Sequence, residues 1–434
     1  MASDKRNTPN IIFCLADDLG YGDLGCYGQE VIQTPHIDRM AQEGVRFTDH
    51  YAGSTVCAPS RCTFMTGRDT GHSFVRGNGG IPLPPDAVTV AKLLKEAGYA
   101  TGIFGKWGLG RADSTGIPTR QGFDDWFGYL HQGRAHNYYP EYLWQNEEKV
   151  YLHGNEDEGR RQYSDHLFTE RALKWVREHH DEPFFLYWPV TLPHANNELG
   201  RETGDGMEIP DYGLYAGRDW PDPQKGHAAM ISLLDENCGM MLDLLEKLGI
   251  DDNTLFIFTS DNGPHAEGGA DPDFFESRGP LRGMKRDLYE GGIRVPMIAR
   301  WPAQIEPGTV SDHPSAFWDY MPTFCDIAGC DTPPGIEGIS MLPALKGNAN
   351  RNRSHDILYW EFNHREFKQA VRMGDWKAVR NGLTRDIELY RLDEDIHEET
   401  NLAAEYPERI AEAAGIFENW RTESAEFPVS DNPG

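Results

Sequence analysis

The chain has 434 residues, of which 39% are hydrophobic, and its formal net charge at pH 7 is −28. This length exceeds that of an ordinary domain, so we expect one large domain and a smaller one. The acidic charge disfavours nucleic acids and anionic membranes as partners, and the sequence contains no apolar run long enough to cross a membrane.

The first residues, MASDKRNTPN, contain no apolar segment of the kind found in signal peptides. Two locations therefore stay open: a periplasmic or secreted protein whose signal segment is absent from the chain, or a cytoplasmic protein. The seven cysteines are too few and too scattered for a disulfide framework. No sequence feature indicates an oligomeric state.

Four β-like runs each end at a group of polar residues. Their continuous apolar character is typical of strands that are buried on both faces of a parallel sheet. Ligands of open α/β sheets bind beyond the carboxyl ends of the strands, so we expect the four polar groups at one edge of one sheet. In chain order, the run 10–16 leads into Asp17-Asp18, 99–104 into Gly105-Lys106-Trp107-Gly108, 183–188 into Leu192-Pro193-His194, and 254–259 into Ser260-Asp261-Asn262-Gly263.

Helix-like stretches alternate with these strands at 35–43, 88–97, 164–179 and 226–248. Glycine follows three of them, as is common at helix ends. The alternation predicts an α/β fold in which a large mixed, mostly parallel sheet is sandwiched by helices.

Near residue 350 the pattern changes to short strands joined by turns. We predict a small antiparallel sheet over 358–362, 369–373, 376–380 and 388–392, followed by a helix at about 406–420. The chain is therefore divided into a larger α/β domain, residues 1–349, and a C-terminal α+β subdomain, residues 350–434.

The segment around Cys57 combines a thiol, a proline two residues on and an arginine four residues on. Pro59 suits the first turn of a helix, and Gly67 suits its end. A helix that begins here places Cys57 at its positive end, with Arg61 one turn along on the same side. Backbone donors together with a guanidinium bind anions.

The string CAPSR at 57–61, followed by TGR at 66–68, resembles the signature of the type I sulfatases of the alkaline phosphatase superfamily. In that family the cysteine is oxidised to Cα-formylglycine, and a hydroxyl of the hydrated aldehyde attacks the sulfur of a sulfate ester. The resemblance, which extends over residues 9–395, implies an alkaline-phosphatase-like fold and a sulfuric ester hydrolase. It also implies a maturation enzyme that converts Cys57 into formylglycine.

Asp17, Asp18, Asp261 and Asn262 offer only oxygen ligands, which suits a hard divalent cation. Sulfatases bind one calcium through an aspartate pair after the first strand and a later Asp-Asn pair. The resemblance therefore assigns these four residues to one Ca²⁺, rather than Mg²⁺, with an oxygen of the modified Cys57 completing the shell. Adjacent acids at a strand end can also be a solvated turn, so the assignment depends on the second pair lying at the same edge.

The motifs GKWGLG at 105–110 and LRGMK at 281–285 place Lys106 and Lys285 where the family holds the sulfate oxygens. Together with Arg61 they would form a local cationic pocket in an acidic protein. His194 matches the family histidine near the bridging oxygen, which implies that it stabilises or protonates the departing alcohol. A lone histidine after a strand can instead be an ordinary hydrogen-bonded group.

One position departs from the family pattern. Many sulfatases carry a histidine two residues after the first motif lysine and use it on the formylglycine hydroxyls, whereas this chain has Gly108. We expect His136, in the aromatic segment 126–144, to replace that group or to line a sugar site, and a surface-loop histidine is the alternative. His265 and Trp360 are further candidates for sugar contacts, although either can be packing.

The leading hypothesis is a sulfatase that acts on the sulfated carbohydrate of a polysaccharide or glycosaminoglycan, with galactose or N-acetylgalactosamine units favoured. A phosphonate monoester or phosphodiester hydrolase of the same superfamily is the second hypothesis. The third is a sulfated-glycan binding protein that has lost activity, which the glycine at position 108 motivates.

Overall fold

The computed structural model describes residues 8–348 and 353–431. The strands in these ranges are β1 (Asn10–Ala16), β2 (Val45–Phe47), β3 (His50–Tyr51), β4 (Ala100–Lys106), β5 (Asp125–Tyr129), β6 (Tyr142–Gln145), β7 (Glu148–Tyr151), β8 (Phe184–Pro189), β9 (Thr254–Ser260), β10 (Met297–Arg300), β11 (Thr309–Ser311), β12 (Ser315–Ala316), β13 (Leu358–His364), β14 (Glu366–Met373), β15 (Trp376–Asn381) and β16 (Glu388–Arg391). The helices are α1 (Pro35–Gln42), α2 (Cys57–Thr66), α3 (Val90–Glu96), α4 (Ser164–His179), α5 (Asn197–Thr203), α6 (Asp222–Leu248), α7 (Glu290–Ile293), α8 (Tyr320–Ala328), α9 (Leu342–Leu345) and α10 (Pro407–Asn419).

The large sheet has the strand order β11-β2-β10-β9-β1-β8-β4-β5-β6-β7. Its central strands β9, β1, β8, β4 and β5 are parallel, whereas β10, β6 and β7 pair in the antiparallel sense. The predicted mixed, mostly parallel sheet is therefore confirmed. The strands that lead into the four polar groups are direct neighbours in this order.

Both faces of the sheet are covered by helices because the central strands are apolar on both sides. Alternate residues of β1 enter two cores: Ile12, Cys14 and Ala16 face one, while Ile11, Phe13 and Leu15 face the other. Helices α1, α4 and α6 contribute to the first core, and α2, α3 and α8 contribute to the second. None of the helices in the described ranges has an apolar stretch long enough to span a membrane.

Two predicted boundaries differ from the structure in ways that concern the site. Strand β4 continues to Lys106, two residues beyond the predicted end, so the lysine is carried by the strand itself. Helix α6 begins at Asp222, four residues before the predicted start, because Pro223 and an acidic residue suit a first helical turn. Strands β5, β6 and β7 were not predicted, since the sequence there lacks a long apolar run.

The C-terminal sheet pairs β13-β14-β15-β16 in antiparallel fashion and carries α10 on one face. Its other face packs on the larger domain, where Trp360 and Phe362 meet Tyr51 and Trp318. The predicted antiparallel sheet and helix are confirmed, and the predicted boundary at 349/350 falls outside the described residues.

Lys377 of β15 is a buried cation at this interface. Its Nζ lies 2.8 Å from Glu290 Oε1 of the larger domain and 2.9 Å from Glu398 Oε1, and all three side chains are fully buried. Against the effect of burial, Lys377 and Arg294 lower the pKa of Glu290 to about 2. These buried ion pairs therefore attach the C-terminal sheet to the larger domain.

We expect Lys377→Met to lower the free energy of unfolding by about 3 kcal/mol, because it leaves two buried carboxylates without their shared cation. Urea denaturation followed by circular dichroism measures the change. Lys174→Met is the matched control, since Lys174 is exposed and its contact with Glu178 spans 3.7 Å, so its effect should stay within about 0.5 kcal/mol. Equal stability of the two variants would contradict the role given to Lys377.

Candidate active site

The polar groups that follow β1, β4, β8 and β9 meet at one edge of the sheet, as the adjacency of these strands requires. Each of the predicted residues in them is at most 2% exposed. They are Asp17, Asp18, Lys106, His194, Asp261 and Asn262.

Helix α2 brings Cys57 to this edge. The helix begins at Cys57, after an extended Val56, and ends at Gly67 with a φ of +67° that glycine adopts without strain. Cys57 is buried, and its Sγ donates a hydrogen bond to Asp17 Oδ1 at 3.2 Å. Burial raises the pKa of the thiol well above its usual value, so an unmodified Cys57 is neutral at pH 7.

Asp17 lies between two buried cations. Its Oδ2 accepts hydrogen bonds from Lys106 Nζ at 2.6 Å and from Arg61 Nη2 at 3.3 Å. Arg61 also donates to Asp261 Oδ2, through Nη2 at 2.8 Å and Nε at 3.1 Å, and thereby ties α2 to the end of β9. Burial, with Asp17 close by, raises the pKa of Asp261 to about 7. Burial acts in the same direction on Asp17, but Lys106, His194 and Arg61 together outweigh it and lower the pKa of Asp17.

Asp18 has a different set of partners. Its Oδ1 accepts from Asn262 Nδ2 at 2.7 Å, and its Oδ2 accepts from Lys285 Nζ at 2.7 Å. Asp18 has a φ of +67°, a left-handed conformation that costs a non-glycine residue about 1–2 kcal/mol. Strain of this kind is concentrated at functional sites, where the surrounding contacts hold it in place.

His194 and Lys285 form a hydrogen-bonded pair. The Nδ1 atom of His194 lies 2.7 Å from the carbonyl oxygen of Ala195, so Nδ1 carries a proton and Nε2 accepts. Lys285 Nζ lies 3.2 Å from that Nε2. Burial and the charge of Lys285 lower the pKa of His194. Burial also opposes the charge of Lys285, but Asp18 and the other acidic neighbours together outweigh it and raise the pKa of the lysine. The ionisable proton of the pair therefore resides on the lysine.

Sequence reasoning missed Glu267. Its Oε2 lies 3.0 Å from Lys285 Nζ, and its Oε1 contacts Arg286 at the mouth of the site. Against burial, Lys285 lowers the pKa of Glu267 to about 2. The residue stands in a loop outside any motif, and only its position two residues after His265 could have drawn attention to it.

The same edge can hold a divalent cation. Ligand atoms of Asp17, Asp18, Cys57 and His194 lie within 4.8 Å of one another, and Asp261 Oδ1 is 3.2 Å from the backbone nitrogen of Asp18. Asn262 Oδ1 is buried and accepts no hydrogen bond from any described residue. A hard cation would satisfy this orphaned oxygen and offset the crowded carboxylates, so the residues present fit the metal that the sequence predicts.

His136 lies against the site. Its ring stacks on that of His194, with centroids 4.8 Å apart and planes within 13°. Its Nδ1 is 3.0 Å from Glu198 Oε2. The expectation that His136 replaces the histidine missing at position 108 or lines a sugar site stays a prediction, and a Cβ at Gly108 would lie 2.3 Å from Gln132 Nε2. Gln132 occupies that volume, and His136 packs on His194.

Several aromatic residues of the segment 126–144, and the candidate Trp360, are packed inside the protein. Trp126, Tyr129 and Tyr138 of the aromatic segment are at most 2% exposed. Trp360 is fully buried and donates from Nε1 to the carbonyl of Ala52 at 3.0 Å. These aromatic rings are core residues, because they belong to strands and turns that are covered on both sides.

His265 is also buried. Its Nδ1 accepts from the Glu267 backbone nitrogen at 3.0 Å, and its Nε2 lies 3.4 Å from the carbonyl oxygen of Pro193. Contact with a substrate would require these interactions to open, so the predicted binding role of His265 stays a prediction that this geometry does not favour.

Comparison with protein families gives two matches. A family model described as Sulfatase matches residues 9–330. A second model, described as N-sulphoglucosamine sulphohydrolase, C-terminal, matches residues 284–413. The first range includes every residue of the site described above.

Among curated proteins, the N-acetylgalactosamine-6-sulfatase of Canis lupus familiaris is 33% identical over 406 residues, which cover 87% of this chain and 72% of the relative. The N-acetylgalactosamine-6-O-sulfatase of Bacteroides thetaiotaomicron is 30% identical, with 95% of this chain and 93% of the relative covered. Among solved structures, Ps i-CgsB in complex with k-i-k-neocarrahexaose has a TM-score of 0.83 at 29% identity, with 98% and 94% of the two chains covered.

Proposed function

The chain belongs to the sulfatase family and is a sulfuric ester hydrolase, and from that premise we propose that it removes sulfate from a polysaccharide or glycosaminoglycan containing galactose or N-acetylgalactosamine. Two relatives named for N-acetylgalactosamine support this sugar, and so does the structural neighbour that binds a neocarrahexaose. The observation that carries the proposal is the convergence of Arg61, Lys106 and Lys285 on the carboxylates beside Cys57.

The three cations are suited to the oxygens of a sulfate ester. All are at most 6% exposed, and their positions are fixed by Asp17, Asp18 and Asp261 before any ligand arrives. Groups that are already oriented stabilise charge in a transition state without reorganising, and they act more strongly where water is excluded. The pocket thus binds an anion in a protein of net charge −28.

Asp17, Asp18, Asp261 and Asn262, with an oxygen of the modified residue 57, would hold one divalent ion, which we assign as Ca²⁺. Calcium accepts a flexible set of oxygen ligands, whereas magnesium demands a near-ideal octahedron and retains water. When bound, the ion supplies positive charge that acidifies a coordinated hydroxyl and offsets charge on the sulfate oxygens.

Cys57 is the residue that a maturation enzyme converts to formylglycine. When present, that group supplies a hydroxyl nucleophile on a carbon bearing a second hydroxyl, so that one can attack sulfur and the other can later expel sulfate. The chain holds this residue at the positive end of α2, and Asp17 Oδ1 at 3.2 Å is placed to accept a hydrogen bond from it.

His194 and Lys285 act on the departing alcohol. The proton that Lys285 shares with His194 Nε2 at 3.2 Å can be delivered to the leaving oxygen. Asp18 and Glu267 keep the lysine protonated until that step. The rim above this pair is polar, with Glu198 and Arg286 partly exposed, which suits the hydroxyl groups of a sugar.

The function is tested by sulfate release from defined substrates. The purified protein, with its formylglycine content measured by mass spectrometry, is assayed on 6-sulfated N-acetylgalactosamine oligosaccharides, neocarra-oligosaccharides, an aryl sulfate, a phosphodiester and a phosphonate monoester. We expect the highest kcat/KM on a sulfated galactose or N-acetylgalactosamine unit. Preference for the phosphonate, or tight glycan binding without sulfate release from a formylglycine-loaded sample, would refute the assignment.

His136→Ala is expected to raise KM about tenfold with a smaller change in kcat, because the ring packs on His194 and contacts Glu198 beside the leaving alcohol. Steady-state kinetics on the best sugar substrate measure the change. His153→Ala is the control, since His153 is exposed and contacts only Glu156 among the described residues. Full activity of the His136 variant would remove this residue from the binding site.

A further inference from the structure

Gln132 carries a buried hydrogen-bond donor close to the sulfate pocket. It is the first residue of the short 3-10 helix Gln132–His136 and is 8% exposed. Its Nε2 is shielded from solvent and donates to no acceptor in the described ranges 8–348 and 353–431. A buried donor without a partner is destabilising, so an amide in this state calls for an explanation.

Contacts on two sides place this donor at the pocket. A Cβ on Gly108 would lie 2.3 Å from Gln132 Nε2. Gly108 follows Lys106 by two residues, just beyond the end of β4, and has a φ of +82°. Lys106 reaches Asp17 at 2.6 Å. At the other end of the 3-10 helix, His136 stacks on His194. The segment 132–136 therefore contacts the chain just beyond Lys106 at one end and His194 at the other.

A third contact links the same segment to the nucleophile helix. Asn78 Oδ1 accepts a hydrogen bond from the backbone nitrogen of Ala58 at 3.0 Å, next to Cys57. Two residues later, a Cβ on Gly80 would lie 3.1 Å from His131 Nε2. The residue before Gln132 thus touches the loop that contacts the start of α2.

We propose that Gln132 Nε2 donates a hydrogen bond to an oxygen of the bound sulfate ester, and that Gly108 keeps open the space this amide needs. The inference rests on the proposed function and deepens it by adding a neutral donor to three cations. An amide donor meets a sulfate oxygen without altering the charge balance among the buried carboxylates and cations. Any side chain at position 108 would displace the amide of Gln132. Its Nε2 is the atom nearest to a Cβ at that position, and it stands at the end of a flexible side chain that can move away.

Two variants separate the donor from its position. Gln132→Met keeps the length of the side chain and removes the donor, whereas Gly108→Ala keeps the donor and pushes it aside. We expect Gln132→Met to raise the Kd for inorganic sulfate, measured by isothermal titration calorimetry, and to lower kcat/KM about 10- to 30-fold. Gly108→Ala should also raise the Kd for sulfate and lower kcat/KM, each by a smaller factor than Gln132→Met does. Gln145→Met, at the exposed end of β6, is the matched control and should change neither.

The thermal midpoint distinguishes a ligand donor from a structural residue. Replacing an unpaired buried donor with an apolar group of similar shape is neutral or stabilising, so Gln132→Met should melt at or above the wild-type temperature while binding sulfate more weakly. Unchanged sulfate affinity and kcat/KM in Gln132→Met, with sulfate release by the wild type, would overturn the proposal and leave the proposed function standing. If the wild type releases no sulfate from any ester, the proposed function fails, and the sulfate Kd of the two variants still decides the role of Gln132.

Discussion

Cys57→Ala should lower kcat/KM for the best sulfated sugar by at least about 10⁴-fold, because it removes the side chain from which the nucleophile is made. The surrounding cations and the four metal ligands other than residue 57 stay in place, so the variant should still bind inorganic sulfate. Sulfate release measured by ion chromatography gives the rate, and calorimetry gives the affinity.

Cys57→Ser tests why a modified residue is used. A serine has one hydroxyl on its β-carbon, so it lacks the second hydroxyl that expels sulfate. The variant should therefore be inactive, or be trapped after a single catalytic event. Cys62→Ala is the matched control: it lies five residues along the same helix, is fully buried, and contacts no residue of the site in the described contacts. Sustained multiple turnover by the serine variant would contradict the mechanism.

Asp17→Asn should abolish metal binding and lower kcat/KM about 10³-fold or more, because it removes a carboxylate that contacts residue 57, Lys106 and Arg61 together. Metal content measured by inductively coupled plasma mass spectrometry should fall from the wild-type value to background. A chelator should lower the thermal midpoint of the wild type, because a ligand that binds only the folded state stabilises it. The same chelator should leave the midpoint of Asp17→Asn unchanged.

Asp69→Asn provides the control for that result. Asp69, with His72 and Glu337, forms another buried or half-buried group whose ligand atoms lie within 4.8 Å of one another. The carboxylate of Asp69 is hydrogen-bonded to Trp420 and His72, so we assign it a structural role. Metal content that is retained in Asp17→Asn but lost in Asp69→Asn would place the ion away from the sheet edge and refute the assignment.

The central sheet and most of the site could be predicted from the sequence because the signals are local. Each central strand is a continuous apolar run that ends in polar residues, and parallel strands bring such ends together. The start of α2 was predictable because Pro59 suits a first helical turn, and its end because Gly67 adopts a positive φ without strain. The pairing of Asp17 with Lys106 and of Asp18 with Lys285 then follows from opposite charges buried in one place.

The remaining features depend on contacts distant in sequence. Strands β5, β6 and β7 are short and mixed in character, and their pairing with β4 decides their conformation. Trp360 could not be assigned from sequence, because an aromatic ring suits either a core or a sugar. Gln132 fills the space at Gly108 although the two residues are 24 positions apart in the chain. A local sequence pattern cannot predict such a contact.

The three pocket cations are sealed inside a protein whose exterior is strongly negative. A polyanionic glycan therefore meets repulsion at long range and attraction only after entry. Mobile counterions shorten the reach of the repulsion, since the Debye length falls to about 10 Å at 0.1 M salt. The encounter rate should accordingly rise with ionic strength before competing anions occupy the pocket, the opposite of the usual behaviour of electrostatically steered enzymes.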